Sequence, residues 1–179
     1  MPAPTLTTAR LVLRQLREDD AAALFPVLSD PDVMTWWSSG PHQSLAETTD
    51  YVKGNAAEDG GYACWAITEA EDATALGWVI LIDGKPDVKE IGYILNRDRW
   101  GSGIAREAVS RVIDHGFGDL GLRRIFADTD PENPASIGLL ERLGFQREGR
   151  LRGEWETHIG IRDSLIFGLL RNEWMEKQT

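Results

Sequence analysis

The chain has 179 residues, of which 42% are hydrophobic and 27% charged, so it is neither a linker nor a disordered acidic tail. Its size fits one domain over residues 1–179, enough to bury a substantial core. With 29 acidic against 19 basic residues, the net charge of −10 argues against a nucleic-acid partner, which needs a basic footprint, and would attract a cationic one.

In chain order, Leu11–Arg14 predicts a first strand, and a helix from about Glu18 to Leu28 should end at Asp30-Pro31. Ser44 and Glu47 have capping-box spacing, so a second helix should start there and run to about Glu58. Tyr62–Thr68, Leu76–Ile82 and Val88–Leu95 are rich in β-branched and aromatic residues and are separated by turn signals such as Asp83-Gly84-Lys85-Pro86. They predict an antiparallel meander. Period two places Glu90, Gly92 and Ile94 on one face of the third of these strands and Ile91, Tyr93 and Leu95 on the other. Gly92 marks a bulge or a place where a ligand or another backbone comes close.

Ala105, Ala108, Val109, Val112 and Ile113 then form one helical stripe between Ile104 and Gly116. Leu122–Ala127 predicts a short strand. Asn133-Pro134 is a helix start with Asn133 as N-cap, and Leu143-Gly144-Phe145 closes that helix. Gln146–Arg152 and Ile159–Leu170 read as the last two strands, followed by a polar tail, Arg171–Thr179.

Uninterrupted apolar runs such as Trp78–Ile82 are far short of the ~20 residues that cross a bilayer, so no membrane contact is expected. The start, Met1-Pro2-Ala3-Pro4-Thr5, lacks the basic and apolar regions of a secretory signal. Cys64, the only cysteine, excludes an internal disulfide and reads as a small buried hydrophobe. His42, His115 and His158 show no metal-ligand spacing, so no metal is expected. These features point to the cytoplasm.

The stretch from Tyr93 to Ala108 carries the chemistry. A strand leads through a turn containing Gly101 and Gly103 into a helix, whose first N–H groups and positive dipole end form an anion site that fits a diphosphate. By itself this is a common tight turn. About thirty residues on, Asn133-Pro-Ala-Ser136 is followed by Leu143-Gly144-Phe145. In this order and separation the pair resembles the two hallmark motifs of the GNAT superfamily of acetyl-CoA-dependent N-acetyltransferases. The superfamily's Gln/Arg-x-x-Gly-x-Gly/Ala loop aligns with Trp100-Gly101-Ser102-Gly103-Ile104-Ala105, with Trp100 and Ser102 as departures. Leu6–Arg14 and Gly160–Asp163 also resemble the branch of ribosomal-protein N-terminal (alanine or serine) acetyltransferases.

The resemblance implies an α/β (α+β) fold with a twisted, mixed, mostly antiparallel sheet of about six or seven strands and about four helices, splayed at the acyl-CoA site. It implies acetyl-CoA as co-substrate. The pantetheine arm would pair with the backbone near Ile94 and Leu95, and the loop Trp100, Gly101, Ser102, Gly103, Ile104, Ala105 and Arg106 would hold the pyrophosphate. Asn133 would contact the arm, and Ser136 would approach the thiol sulfur.

Acetyl transfer needs a neutral amine, a polarised carbonyl and a stabilised leaving thiolate. Glu90, Glu154 and Glu156 are the candidates for accepting the amine proton; the last two flank Trp155 in the expected loop between the final strands. Trp36 and Trp37, with Tyr93 and Trp155, are candidates for the acceptor pocket, where a tryptophan pair can clamp an aliphatic or cationic chain or simply plug the sheet. Trp65 and Trp78 read as core. The expected activity is direct acetyl transfer to a primary amine, on a small molecule or a protein N-terminus, by a chain that could also form a homodimer. A non-catalytic acyl-CoA-binding module and a transferase using a longer acyl-CoA are the alternatives.

Overall fold

The period-two segments join a single eight-stranded sheet in the order β1-β2-β3-β4-β5-β6-β8-β7. The strands are β1 (Leu6–Thr7), β2 (Leu11–Gln15), β3 (Tyr62–Glu69), β4 (Asp72–Asp83), β5 (Val88–Leu95), β6 (Arg124–Thr129), β7 (Gln146–Thr157) and β8 (Gly160–Leu170). The helices are α1 (Ala21–Leu28), α2 (Pro31–Met34), α3 (Leu45–Ala56), α4 (Ile104–Gly118), α5 (Pro134–Leu143) and α6 (Arg171–Lys177). This is a computed structural model, describing residues 3–57 and 61–177. None of its helices is long and apolar enough to cross a membrane.

Each sheet face has its own core. On one face Leu13, Trp65, Val79 and Ile91 pack with Val109 and Ile113 of α4, Leu140 of α5 and Trp174 of α6. On the other, Trp78, Ile80 and Ile94 pack with Leu24 of α1, Met34 of α2 and Val52 of α3. Trp65 and Trp78 are fully buried, one on each face, as strand alternation requires. Cys64 is buried as well, and burial pushes its thiol pKa far up, so it is a packing residue and not a nucleophile.

All strand pairs are antiparallel except β5 with β6. That parallel pairing is short: Val88, Lys89 and Glu90 face Arg124, Ile125 and Phe126, and the register ends there although β5 continues to Leu95. The sheet therefore opens between the two strands from Glu90 onward.

The structure corrects several sequence expectations. Asp30-Pro31 does not simply stop a helix; Asp30 caps a new turn by accepting the Asp32 N–H at 2.9 Å, and Pro31 is its first residue. The capping box of α3 is only half formed, because Ser44 accepts the Glu47 N–H while the Glu47 carboxylate reaches back to Gln43. α3 ends at Ala56, and its expected end, Glu58, lies outside the described residues. Gly92 stands opposite Ile80 with no break in register, so it is not a bulge, and what lies against it is the Ile80 side chain. The supposed polar tail forms α6 because Trp174 is buried and donates its indole N–H to Asp114 at 2.7 Å; residues 178–179 are outside the described residues. Most consequentially, Glu154, Trp155 and Glu156 lie within β7 and not in a loop; the reversal is at His158 and Ile159.

Candidate active site

The opening between β5 and β6 is lined on the β5 side by main-chain groups that β6 does not pair. The Asn96 N–H bonds to the carbonyl of Leu76, the β4 residue before Gly77, so by ladder alternation the backbone groups of Ile94 also face β4. Those of Tyr93 and Leu95 consequently face the gap. The Leu95 carbonyl accepts the Trp100 indole N–H at 2.9 Å. Trp100 itself is half exposed, 50% by area, and closes the end of the strand like a flap.

Directly beyond lies the start of α4. Gly101 and Gly103 both take left-handed conformations, with φ of 72° and 81°, which a side chain would strain. The first intrahelical bond is from Glu107 N–H to the Gly103 carbonyl at 3.0 Å, and Gly103 supplies no side-chain cap. The other long helices behave differently: Ser44 caps α3, and Asn133 caps α5 by accepting the Ser136 N–H at 3.1 Å. The N–H groups of Ile104, Ala105 and Arg106 thus have no preceding helical carbonyl, and the dipole's positive end adds to them. Ile104 is buried in the core and can offer only its amide, whereas Arg106 and Ser102 are exposed. Ser102 uses its hydroxyl on the Arg99 carbonyl, 2.5 Å away, and so stabilises the loop itself.

This loop is braced by residues that the motif does not contain. Arg10, in the β1–β2 turn, donates to Glu107 at 2.7 Å and to the Ser102 carbonyl at 3.1 Å, and the Thr8 hydroxyl also donates to Glu107. The Leu6–Arg14 segment therefore acts on the α4 turn from almost a hundred residues away. Its other arginine, Arg14, forms a two-pronged bond to buried Asp20 at 2.8 and 2.6 Å. A groove of about 570 Å³ opens beside the α4 start, bordered by Thr7, Thr8, Gly103 and Arg106.

At the inner end of the gap two groups occupy opposite sheet faces. On the α4–α5 face, the Tyr93 hydroxyl and the Ser136 hydroxyl are 2.8 Å apart. Burial pushes the Tyr93 pKa up to about 12, outweighing the opposing hydrogen bond with Ser136, so the phenol stays protonated. On the α1–α3 face, half-buried Glu90 sits at the last position of β5 that pairs with β6. Burial first, and then the negative charge of Asp128, holds its carboxyl above the usual range.

The rest of that face is assembled from distant segments. Asp128 accepts the Trp155 indole N–H at 2.9 Å and also a hydrogen bond from the fully buried Ser164 hydroxyl. Arg162 lies over the Trp36 ring, 5.7 Å from its centroid, and pairs with Asp130 and Glu132 at 2.7 and 2.8 Å. Trp155 is thus tied to Asp128 of β6, and Trp36 is held against Arg162 of β8. Trp37 is held differently: its indole N–H donates to the Tyr51 hydroxyl at 2.9 Å and its ring meets Trp78 edge-on at 6.0 Å, so it belongs to the core. Glu154 and Glu156 are exposed on β7, without the enclosure that Glu90 has. Asp128, Arg10 and Glu107 are the participants that sequence reasoning missed. Among the described residues, no group of three or more His, Cys, Asp or Glu side chains could hold a metal ion.

Residues 10–146 match the acetyltransferase (GNAT) domain. The chain is 36% identical over 174 residues to an uncharacterized N-acetyltransferase, p20, of Bacillus licheniformis, covering 95% of this chain and 98% of that protein. It is 24% identical to the spermidine N(1)-acetyltransferase of Vibrio cholerae, covering 94% of this chain and 98% of that one. The fold superposes on the crystal structure of a GNAT-family acetyltransferase from Bacillus anthracis with a TM-score of 0.85, at 24% identity and over 95% of this chain and 100% of the other. A splayed sheet whose open end meets an uncapped helix, matched over most of its length by that domain, belongs to the GNAT acetyltransferase family.

Proposed function

We propose that the protein moves the acetyl group of acetyl-CoA directly to a primary amine, without an acyl-enzyme intermediate. The observation that carries this reading is the gap between β5 and β6 beyond Glu90, which ends at the uncapped start of α4. Acetyl-CoA supplies the activated thioester. In this reading the amides of Ile104, Ala105 and Arg106 receive the pyrophosphate, while Gly101 and Gly103 keep side chains out of its way. The outward backbone groups of Tyr93 and Leu95 pair with the pantetheine arm, once the Trp100 indole yields the Leu95 carbonyl. The Asn133 side-chain N–H₂ faces the arm, since its oxygen is committed to Ser136.

The acceptor enters from the α1–α3 face between Trp36 and Trp155. Glu90 accepts the proton lost by the amine, directly or through a water, and its raised pKa brings it nearer to the working pH of a general base. Ser136, on the opposite face, donates a hydrogen bond to the departing sulfur. Glu154 and Glu156 remain outside this arrangement because they are exposed on β7.

Proton arithmetic narrows the acceptor. Deprotonating a lysine-like amine at pH 7 costs about 4.6 kcal/mol, against roughly 1 kcal/mol for an α-amine. A single half-buried carboxylate is better matched to the second, so an α-amine, on a peptide N-terminus or a small molecule, is the acceptor we assign. The resemblance of Leu6–Arg14 to the ribosomal-protein branch supports a peptide; the spermidine-acetylating relative supports a polyamine. A panel of N-terminal peptides, amino acids, spermidine and aminoglycosides, read by release of CoA thiol and by the mass of the product, tests this. Release matched by an acetylated α-amine is expected. A clear preference for spermidine or an aminoglycoside would overturn the acceptor class, and CoA binding without any release would leave a binding module.

A further inference from the structure

Tyr93 places a hydroxyl where packing does not ask for one. Its neighbours on the same face of β5, Ile91 and Leu95, are buried aliphatics, and its ring packs against their cluster. Phenylalanine would fill that place equally well, so what the hydroxyl adds is its hydrogen bond to Ser136 at 2.8 Å. Chemistry gives that bond a direction. A phenol is a stronger donor than an alkyl alcohol, and Tyr93, held protonated by its surroundings, always has its proton to give. If Tyr93 donates, Ser136 Oγ is the acceptor and keeps its own proton for a third group. An oxygen that accepts one hydrogen bond is polarised into a better donor for the next.

The backbone around Ser136 supports the same direction. Its N–H is held by Asn133 Oδ1 at 3.1 Å, which fixes the first turn of α5, and Pro134 fixes the turn's entry. With the main chain pinned and one lone pair occupied by Tyr93, the serine proton has few remaining directions.

We infer that Tyr93 is a positioning residue of the transfer step: it holds Ser136 Oγ as an acceptor and so aims the serine proton at the departing sulfur. This rests on the acetyl-transfer reading above. In that step the amine nitrogen forms the new C–N bond, the C–S bond breaks, and its electron pair leaves on sulfur as a thiolate. Ser136 stabilises that thiolate by a hydrogen bond. The proton released by nitrogen goes to Glu90 or water, and Tyr93 gives up none.

The test is a double-mutant cycle of Tyr93→Phe and Ser136→Ala, with turnover followed by CoA-thiol release on an accepted amine. Tyr93→Phe should lower kcat roughly 3- to 10-fold, the worth of one neutral hydrogen bond, and leave the KM for acetyl-CoA within about twofold. In the Ser136→Ala background the same change should have no further effect on kcat. An unchanged kcat, an equal loss in both backgrounds, or a loss accompanied by a lower melting temperature and raised KM would overturn the inference and make Tyr93 a packing residue. If the wild-type protein releases no thiol with any amine, the acetyl-transfer reading falls, and this inference with it. If it turns over and the cycle shows no coupling, only this inference falls.

Discussion

The two halves of the site are built by different means. The proposed cofactor half, from Leu95 to Arg106 and from Asn133 to Ser136, rests mainly on main-chain groups set by two glycines, an uncapped helix and a strand that parts from β6. The proposed acceptor half consists of side chains, Trp36, Glu90, Asp128, Trp155 and Arg162, brought together from five separate segments. Backbone geometry tolerates much side-chain change outside the glycines, whereas a side-chain pocket changes with each substitution. One half is suited to holding an invariant ligand, the other to being retuned.

Substitutions can break that contrast. Gly103→Pro should have the largest effect and abolish CoA binding, because proline's φ near −65° cannot take up the 81° of the glycine it replaces. A folded variant that still shows a CoA-induced rise in melting temperature would place the phosphates elsewhere.

Glu90→Gln should come next, lowering kcat on the order of 10²-fold and removing the acid limb of the pH–rate profile. The sign follows from its raised pKa: the base is competent above that pKa and is lost as pH falls through it. The same shift has an opposite consequence for stability. A carboxyl that binds its proton more tightly folded than unfolded makes the protein less stable as pH rises through the window between the two pKa values. Glu90→Gln should therefore raise the melting temperature at neutral pH while it lowers turnover. Loss of both would mark Glu90 as structural.

The neighbouring tryptophans sharpen the comparison further. Trp37→Ala should cost roughly 3 kcal/mol of stability in denaturant titration, the low end for a large aromatic in a core, because Trp37 is only half buried. Trp36→Ala, which removes a half-buried cation–π contact, should cost only about 1–2 kcal/mol of stability and instead raise the acceptor KM several-fold. The reverse pattern would mean that the loop, and not its outer indole, forms the acceptor wall.

Legibility in the sequence follows the same division. The α4 turn could be read directly, since left-handed glycines, a helix stripe and the second motif are local signals. The strand alternation that separates Glu90 from Tyr93 was also local and holds in the structure. What sequence could not give is pairing length: nothing in Val88–Leu95 says that the partner strand departs after Glu90. It also could not distinguish Trp36 from Trp37, because adjacent residues share a composition and differ only in which way they face. Trp155 was misplaced in a loop because the register shift between Leu151 and Trp155 hides a strand that resumes, with Gly153 in a left-handed conformation between them. Arg10 and Glu107 were unreadable as a pair, their bond being set by the fold over a separation of 97 residues.

The central claim is that the β5–β6 gap and the α4 start hold an acyl-CoA, and thermal melting with and without CoA tests it most directly. At a concentration about a hundredfold above Kd, linkage requires roughly 2.7 kcal/mol of added stability, seen as a clear rise in melting temperature that Gly103→Pro abolishes. No rise at millimolar CoA would contradict the account.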